Sequence, residues 1–296
     1  MSSCFLPKNT PGLSFLQLAR PDQWIKNGFV FAGFLFYGCW HDTDLLLKSL
    51  WATAIFCLAS SAVYAFNDAV DVERDRQHPS KKNRPLVLGH ISKCGAFVFS
   101  FFLALLTILG SLFVSSFLLG FVVGYLLLNL AYTLSLKKIV ILDVFCIALG
   151  FLLRMLSGTL AIGIPPSHWI ILCTLMISLF LGFAKRSAEL TLNTDTSRFV
   201  LSAYSPTLLH LFLGISTACT VMTYALYTIS ENRVHAYGVL IYTLPLVLFG
   251  LFRYLYLVLS KGKGENPSMD ILKDPQILVT LLLYLFMLLF LPHHVE

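Results

Sequence analysis

Apolar windows about 20 residues long recur along most of this 296-residue chain, and they restrict its fold more than any other feature. A window of that length crosses the roughly 30 Å hydrocarbon core of a bilayer as one α-helix. The sequence therefore predicts an all-α fold, a polytopic membrane protein with nine transmembrane helices. The predicted spans are residues 23–40, 48–68, 94–114, 116–134, 139–162, 167–185, 206–229, 236–258 and 275–292.

Charge is scarce and unevenly placed. Only 12% of the residues are charged and 57% are hydrophobic, whereas about a quarter of the residues in a soluble domain are charged. With the N-terminus inside, the nine-span count puts 18 of the 21 Lys and Arg residues on the cytoplasmic side. This predicts a multi-pass protein of the cell (inner or plasma) membrane with a charged cytoplasmic cap. The net charge of +6 follows from this placement and does not indicate nucleic-acid binding.

The rest of the chain offers little outside these spans. We find no soluble appendage, low-complexity segment or convincing repeat, so residues 1–296 are predicted to form a single transmembrane domain. The first residues lack the compact basic and apolar pattern of a cleavable signal peptide. Loops predicted inside are long and polar, and those outside are short. The active site is therefore expected on the cytoplasmic side.

The most charged segment, residues 67–76, directly follows the second apolar window. If the helix of that window continues through it, Asn67, Asp71 and Asp75 fall at i, i+4 and i+8 on one helix face. Carboxylates stacked so closely repel one another, and Mg²⁺ shared with a phosphorylated substrate relieves such repulsion. We therefore take these three residues as candidate metal ligands and catalytic residues. The alternative is an acidic helix end balanced by neighbouring arginines.

Several bases and one tyrosine are candidates for binding substrate. The loop from His78 to Pro85 is basic, and Arg offers phosphate a bidentate fork where Lys offers a point charge. Tyr64 falls on the helix face of the acidic motif. An arginine as deep in a span as Arg154 is costly unless it is paired or faces a polar cavity. The candidate substrate-binding residues are Lys26, Tyr64, Lys81, Arg84, Lys137, Arg154, Lys185 and Arg186.

Structural alternatives for these residues stay open from the sequence alone. A basic loop also fits the positive-inside pattern, and Lys26 fits an interfacial anchor. Arg154 fits a buried pair with another polar group, such as Asn129. Lys185 and Glu189 are spaced i, i+4, which fits an ion pair on a helix surface.

These motifs resemble those of a known family. Asn67-Asp68-x-x-Asp71-x-x-x-Asp75 resembles the first aspartate motif of the UbiA superfamily of intramembrane prenyltransferases. Within that superfamily the chain is most similar to the decaprenyl-phosphate phosphoribosyltransferase branch, over essentially its whole length. The similar stretches are Arg20-Pro21-x-Gln23-Trp24-x-Lys26-Asn27, His78-Pro79-x-Lys81-x-x-Arg84-Pro85, Tyr132-x-x-x-Leu136-Lys137, Asp143, Arg154, Lys185-Arg186-x-x-Glu189-Leu190 and Arg253-Tyr254.

The resemblance implies a UbiA-like bundle and a Mg²⁺-dependent enzyme that moves 5-phosphoribose from phosphoribosyl diphosphate to a polyprenyl phosphate. The branch name implies a product for cell-wall biosynthesis. Aromatic prenyltransferases of the superfamily carry a second motif, Lys-Asp-x-x-Asp, where this chain has Lys185-Arg186-x-x-Glu189. Losing an acid and gaining an arginine favours direct phosphate binding over a second metal site. The implied partners are the bilayer and the two substrates, and the oligomeric state, a homo-oligomer included, stays open.

Two other functions stay open at this point. A UbiA-type prenyltransferase that moves a prenyl group from its diphosphate to an aromatic or other small acceptor would need the same first motif. A non-enzymatic lipid-phosphate binding protein or transporter would also have buried charge. It would be expected to show inverted halves and polar groups nearer the middle of the bilayer, and we detect neither.

Overall fold

The structure, a computed structural model, describes residues 11–38, 42–77, 81–191, 199–230 and 240–290, and all regular secondary structure in these ranges is helical. The predicted all-α fold is therefore confirmed. The α-helices are α1 Pro11–Ala19, α2 Ala32–Tyr37, α3 Thr43–Asp75, α4 Lys93–Leu112, α5 Ser116–Leu134, α6 Leu142–Ala161, α7 His168–Thr191, α8 Phe199–Ser202, α9 Pro206–Ile229, α10 Leu244–Lys261, α11 Pro267–Lys273 and α12 Pro275–Phe290. Shorter 3-10 helices lie at Pro21–Phe31, Lys81–Asn83, Leu136–Lys138 and Leu240–Thr243.

Seven helices in the described part of the chain are long and apolar enough to cross a membrane, so this is a multi-pass membrane protein. They are α3 to α7, α9, and α10 with the 3-10 turn before it, and they match the second to eighth predicted spans. Helices α11 and α12 pass the same test only as a pair, and they are bent by 86°. The first and ninth spans stay predictions.

The first predicted span has an unexpected backbone form. Pro21–Phe31 is a 3-10 helix of 11 residues, and α2 adds 6 residues of α-helix. At about 2.0 and 1.5 Å per residue, these segments would together extend roughly 31 Å if straight. That length is compatible with one crossing of the hydrocarbon core. Residues 39–40, which complete the predicted span, lie outside the described residues.

Helix α3 positions the acidic motif. It begins at an N-cap, Asp42, whose side chain accepts hydrogen bonds from the backbone N–H groups of Asp44 and Leu45, each at 3.0 Å. It then runs for 33 residues, about 50 Å, which exceeds the roughly 30 Å hydrocarbon core. The charged C-terminal turns of α3 therefore extend beyond the apolar layer that the rest of the helix can cross.

The described residues form two compact units, each with its own core. The first unit contains the chain up to Leu134 together with Leu153–Ile164, and α3 packs in it against α4, α5 and the 3-10 helix Pro21–Phe31. The second unit contains Ser135–Leu152 and the chain from Pro165 onward, and α7 packs in it against α9 and α10. The single transmembrane domain stays a prediction.

Backbones approach closely where α6 packs against the N-terminal segment of the first unit. A Cβ added at Gly158 would overlap the carbonyl oxygen of Val30, and one at Gly33 would lie 2.6 Å from Thr159 Oγ1. Glycine at these positions therefore sets the distance between the two segments.

Gly158→Ala is expected to destabilise the protein by about 3 kcal/mol or more, because the group that the new methyl meets is backbone and has no alternative rotamer. The measurement is the thermal unfolding midpoint of detergent-purified protein. Gly120→Ala in α5 is the matched control, since a Cβ there meets nothing within 4 Å. An unfolding midpoint for Gly158→Ala equal to that of Gly120→Ala would contradict this packing.

Candidate functional site

Helix α3 continues without a break through the charged segment, which confirms the condition for the predicted acidic face. Asn67, Asp71 and Asp75 therefore recur every fourth residue, and Tyr64 lies on the same side of the helix. Asn67 Oδ1 accepts a hydrogen bond from Thr133 Oγ1 of α5 at 3.4 Å. The Asp71 side chain is 17% exposed, with Arg74 Nη1 3.8 Å from its Oδ1, whereas Asp75 is buried.

Two arginines from outside α3 converge on its aspartates. Arg20 Nη2 lies 2.6 Å from Asp68 Oδ1, and Arg84 Nη1 lies 3.0 Å from the same oxygen. Arg84 also forms an ion pair with Asp75. We call these four residues the Asp68 cluster. Arg84 and Asp75 are site residues predicted from the sequence, whereas Asp68 and Arg20 are not among those predicted.

The two arginines of the Asp68 cluster are held under electrostatic and backbone constraint. Burial lowers the pKa of Arg84, and the positive charge of Arg20 lowers it further. Arg20 has a left-handed backbone, φ 53°, directly before Pro21, a conformation that costs a non-glycine residue roughly 1 to 3 kcal/mol. Its guanidinium also lies over the Tyr64 ring, 5.2 Å from the centroid. Such strain at a charged cluster is typical of a functional site.

Arg154 of α6 is the centre of a second polar group in the first unit. Its Nε donates to Asn27 Oδ1 at 2.9 Å, and its Nη2 donates to the Tyr125 hydroxyl at 2.6 Å. All three residues are buried. Asn129, the partner considered from the sequence, donates to the backbone carbonyl of Tyr125 at 2.8 Å. Asn27 and Tyr125 thus supply polar partners that make a buried arginine tolerable in a membrane helix.

The charges of the first unit act on one another. The positive charges of Arg154 and Arg20 are close enough to interact electrostatically with Lys26 and with the Tyr64 hydroxyl. Lys81 acts in the same way on Asp75. Eight of the eleven predicted site residues lie in this unit. They are Lys26, Tyr64, Asn67, Asp71, Asp75, Lys81, Arg84 and Arg154.

The other three predicted site residues, Lys137, Lys185 and Arg186, lie in the second unit. Arg186 is only 2% exposed; its Nε lies 2.8 Å from Asp143 Oδ2, and its guanidinium also pairs with Glu189. Lys185 Nζ lies 3.9 Å from Glu189 Oε1, the i, i+4 pair that the spacing allowed. Arg186 already pairs with two carboxylates, and a role for it in binding phosphate stays a prediction.

Tyr204 belongs to the same buried group, although it is not among the site residues predicted from the sequence. Its hydroxyl donates to Asp143 Oδ1 at 2.9 Å and accepts the backbone N–H of Ile141 at 2.7 Å. Burial raises the pKa of Tyr204, and the negative charge of Asp143 raises it further, so the hydroxyl keeps its proton. Ile141 has φ 70°, which is rare for a β-branched residue. Tyr204 thus links a strained turn to the carboxylate that holds Arg186.

The acidic face of α3 suits a hard cation only together with a ligand. Among the described residues, no group of three or more His, Cys, Asp or Glu side chains could hold a metal ion by itself. Asn67, Asp71 and Asp75 offer oxygen donors, and Mg²⁺ is commonly held by one or two carboxylates plus substrate phosphates. The chemistry of these donors therefore fits Mg²⁺ shared with a phosphorylated ligand.

The fold and the acidic face define a class, the helical multi-pass membrane proteins with a charged site at the end of a spanning helix. The chain belongs to the UbiA prenyltransferase family, whose profile matches residues 28–269. The resemblance drawn from the sequence motifs is therefore confirmed.

Relatives and solved structures agree with this assignment. The chain is 35% identical over 234 residues to the decaprenyl-phosphate phosphoribosyltransferase of Mycolicibacterium smegmatis, covering 77% of this chain and 73% of that protein. It is 32% identical over 289 residues to the decaprenyl-phosphate phosphoribosyltransferase of Corynebacterium glutamicum, covering 95% and 86%. A solved structure of a UbiA homolog from Archaeoglobus fulgidus, bound to GPP and Mg²⁺, superposes with a TM-score of 0.73 at 18% identity, covering 93% of this chain and 99% of that one. The fold is therefore that of the UbiA homologs.

Proposed function

We propose that this chain transfers 5-phosphoribose from phosphoribosyl diphosphate to a polyprenyl phosphate of the decaprenyl type, with release of diphosphate. The observation that carries the proposal is the 32% identity to the Corynebacterium glutamicum phosphoribosyltransferase over 95% of this chain. The second unit supports it, because Arg186 neutralises both Asp143 and Glu189. Arg186 also stands where an aromatic prenyltransferase has an acid, so this region has one carboxylate fewer for a second metal ion and one more positive charge for phosphate.

The acidic face of α3 is the proposed metal site. Asn67, Asp71 and Asp75 would hold Mg²⁺, an ion that is also bound in the Archaeoglobus fulgidus homolog. Bound there, the ion would supply positive charge for the departing diphosphate. Arg84, which pairs with Asp75, is close enough to this face to bind phosphate oxygens beside the ion.

The remaining candidates would bind and orient the two phosphorylated substrates. The bases that we assign to phosphate oxygens are Lys26, Lys81, Arg84, Lys137, Arg154, Lys185 and Arg186, and Tyr64 is assigned to the polar rim of the donor. The acceptor phosphate is already anionic at neutral pH, so the reaction needs no dedicated general base. The chain would act mainly by positioning and by electrostatic stabilisation.

The proposal includes a placement in the membrane. The chain would form one nine-span domain in the cell membrane, with the N-terminus and the charged cap in the cytoplasm. Phosphoribosyl diphosphate is water-soluble and would reach the site from that side. The acceptor's polyprenyl tail would stay in the bilayer while its phosphate reaches the site. A lipid acceptor explains why this transferase is built as a membrane protein.

The test is a label-transfer assay on purified protein with Mg²⁺ and decaprenyl phosphate. Labelled phosphoribosyl diphosphate is offered in one arm, and labelled prenyl diphosphate with 4-hydroxybenzoate in the other. We expect label from the sugar donor in an organic-soluble, acid-labile product, and loss of transfer with excess EDTA. Transfer from the prenyl donor alone would identify an aromatic prenyltransferase instead, and transfer from neither would indicate a non-enzymatic lipid-phosphate protein.

A further inference from the structure

We propose that Asp68 is a positioning residue for anion binding: it holds Arg20 and Arg84 together so that both guanidinium groups bind the diphosphate end of the donor. The inference rests on the proposed function for the identity of the donor. It adds two residues, Asp68 and Arg20, to those that the acidic motif and the basic loop indicate.

Two arginines share one oxygen of Asp68. Arg20 Nη2 and Arg84 Nη1 both contact Asp68 Oδ1, at 2.6 and 3.0 Å. The Asp68 side chain is 4% exposed, whereas the Arg20 and Arg84 side chains are 21% and 23% exposed. The carboxylate is thus enclosed, and the two arginine side chains that it joins are partly exposed.

Asp68 lies close to the acidic face of α3. Asp68 precedes Asp71 by three residues and Asp75 by seven, so at about 100° per residue all three lie within roughly 60° of helix surface. Arg84 already bridges Asp68 and Asp75. The paired guanidinium groups therefore lie beside the carboxylates proposed to hold Mg²⁺, where the oxygens of a metal-bound diphosphate would be.

Two guanidinium groups repel each other, and the Asp68 carboxylate that both contact offsets this repulsion. Each guanidinium has five N–H donors, and Asp68 engages one nitrogen from each. Arg84 Nη1 also pairs with Asp75, and the remaining nitrogens of each guanidinium can offer a planar fork of the kind that matches the oxygens of a diphosphate. The left-handed backbone of Arg20 indicates that the chain tolerates strain to place this side chain.

Asp68→Asn distinguishes positioning from the alternatives, because it removes a negative charge but keeps the size and one acceptor oxygen of the side chain. If the charge of Asp68 acted only through the local potential, the variant would bind an anion more tightly. If the ion pairs served only to hold the fold together, a folded variant would bind the anion as tightly as the parent protein does. A positioning role alone predicts weaker binding despite the added positive charge.

The experiment is calorimetric titration of the full-length protein in detergent with inorganic diphosphate and Mg²⁺. For Asp68→Asn we expect the Kd to rise by about tenfold or more, the effect of losing well-placed charged hydrogen bonds. Glu73→Gln is the control, because Glu73 is on the same helix, pairs with Arg76 and is 72% exposed. It changes the net charge equally and is expected to leave the Kd unchanged or slightly lower.

A double-mutant cycle tests whether Asp68 acts through its arginine. Arg20→Gln should weaken diphosphate binding in the parent protein and have a much smaller effect in Asp68→Asn, because coupled residues are not additive. Asp68→Glu moves the carboxylate by one methylene and should give an intermediate Kd, which keeps the test valid if Asp68→Asn does not fold. An unchanged or lower Kd for Asp68→Asn, or for Asp68→Glu in its place, or additive effects in the cycle, would overturn the inference.

Kinetics separate this inference from the proposed function. Where the protein transfers phosphoribose, Asp68→Asn should raise KM for phosphoribosyl diphosphate more than it lowers kcat, since the lost interaction serves binding. The titration needs no turnover. Absence of phosphoribosyl transfer would therefore overturn the proposed function and leave the diphosphate result to decide the role of Asp68.

Discussion

Asp71→Asn is expected to lower the rate of phosphoribosyl transfer by about 10²- to 10³-fold, the usual effect of removing one preorganised charge from an active site. Asparagine keeps the size of the side chain and one oxygen, so the change is electrostatic. The loss of stability should be small, about 1 kcal/mol or less, because Asp71 is partly exposed and its contact with Arg74 is 3.8 Å long. The measurement is the initial rate of label transfer as a function of Mg²⁺ concentration.

The control for Asp71→Asn is again Glu73→Gln, two residues along the same helix and away from the acidic face. It should retain nearly full transfer and the parent response to Mg²⁺. A folded Asp71→Asn protein with parent activity would remove Asp71 from the metal site. Equal losses in both variants would point to the charge of the helix end as a whole.

Arg186→Met is expected to destabilise the protein by about 3 to 5 kcal/mol, since it removes the buried arginine that pairs with two buried carboxylates. Asp143 and Glu189 both pair with Arg186 and are themselves buried, so neither can recover its lost interaction from water. The measurement is the temperature at which half of the detergent-purified protein loses its folded state at a fixed heating rate.

Two matched variants give this prediction its controls. Lys185→Met removes a neighbouring base that is more exposed and lies 3.9 Å from Glu189, and it should cost less than about 1 kcal/mol. Asp143→Asn with Glu189→Gln, added to Arg186→Met, should recover much of the lost stability because no buried charge is left unpaired. If Arg186→Met were as stable as Lys185→Met, Arg186 would not hold this group together.

The sequence predicted the part of the site that depends on one helix. The apolar window and the i, i+4, i+8 spacing were enough to place Asn67, Asp71 and Asp75 on a continuous α3. Asp68 lies about 100° around the helix from Asn67, at the edge of that face, and a fixed four-residue spacing passes over it. A wider arc of helix surface would have included it.

Partners distant in the chain could not be predicted in this way. Arg20 and Asp68 are 48 residues apart, and Tyr204 and Asp143 are 61 apart. Tyr204 lies between α8 and α9, so no helical periodicity selects it. Such pairings are set by tertiary packing, which the spacing of residues in a single sequence does not specify.

Hydropathy predicted the lengths of the spans better than it predicted their backbone conformation. An apolar window does not distinguish the 3-10 helix Pro21–Phe31 from an α-helix of similar length. Near the C-terminus, Asp274 accepts the backbone N–H groups of Gln276 and Ile277 and pairs with Arg253, so a new helix begins at Pro275. The 86° bend between α11 and α12 falls at this residue.

The hydrogen bond from Arg154 to Asn27 has a consequence for biogenesis. The two residues are 127 positions apart, so at roughly 5 to 20 residues per second the ribosome makes Arg154 about 6 to 25 s after Asn27. Asn27 meets Ser60 much earlier, since these residues are 33 positions apart. The N-terminal segment therefore completes its contacts only after α3 to α5 have been synthesised. In a nascent chain that stops before Arg154, the buried amide oxygen of Asn27 would lack this donor, which is costly in an apolar setting.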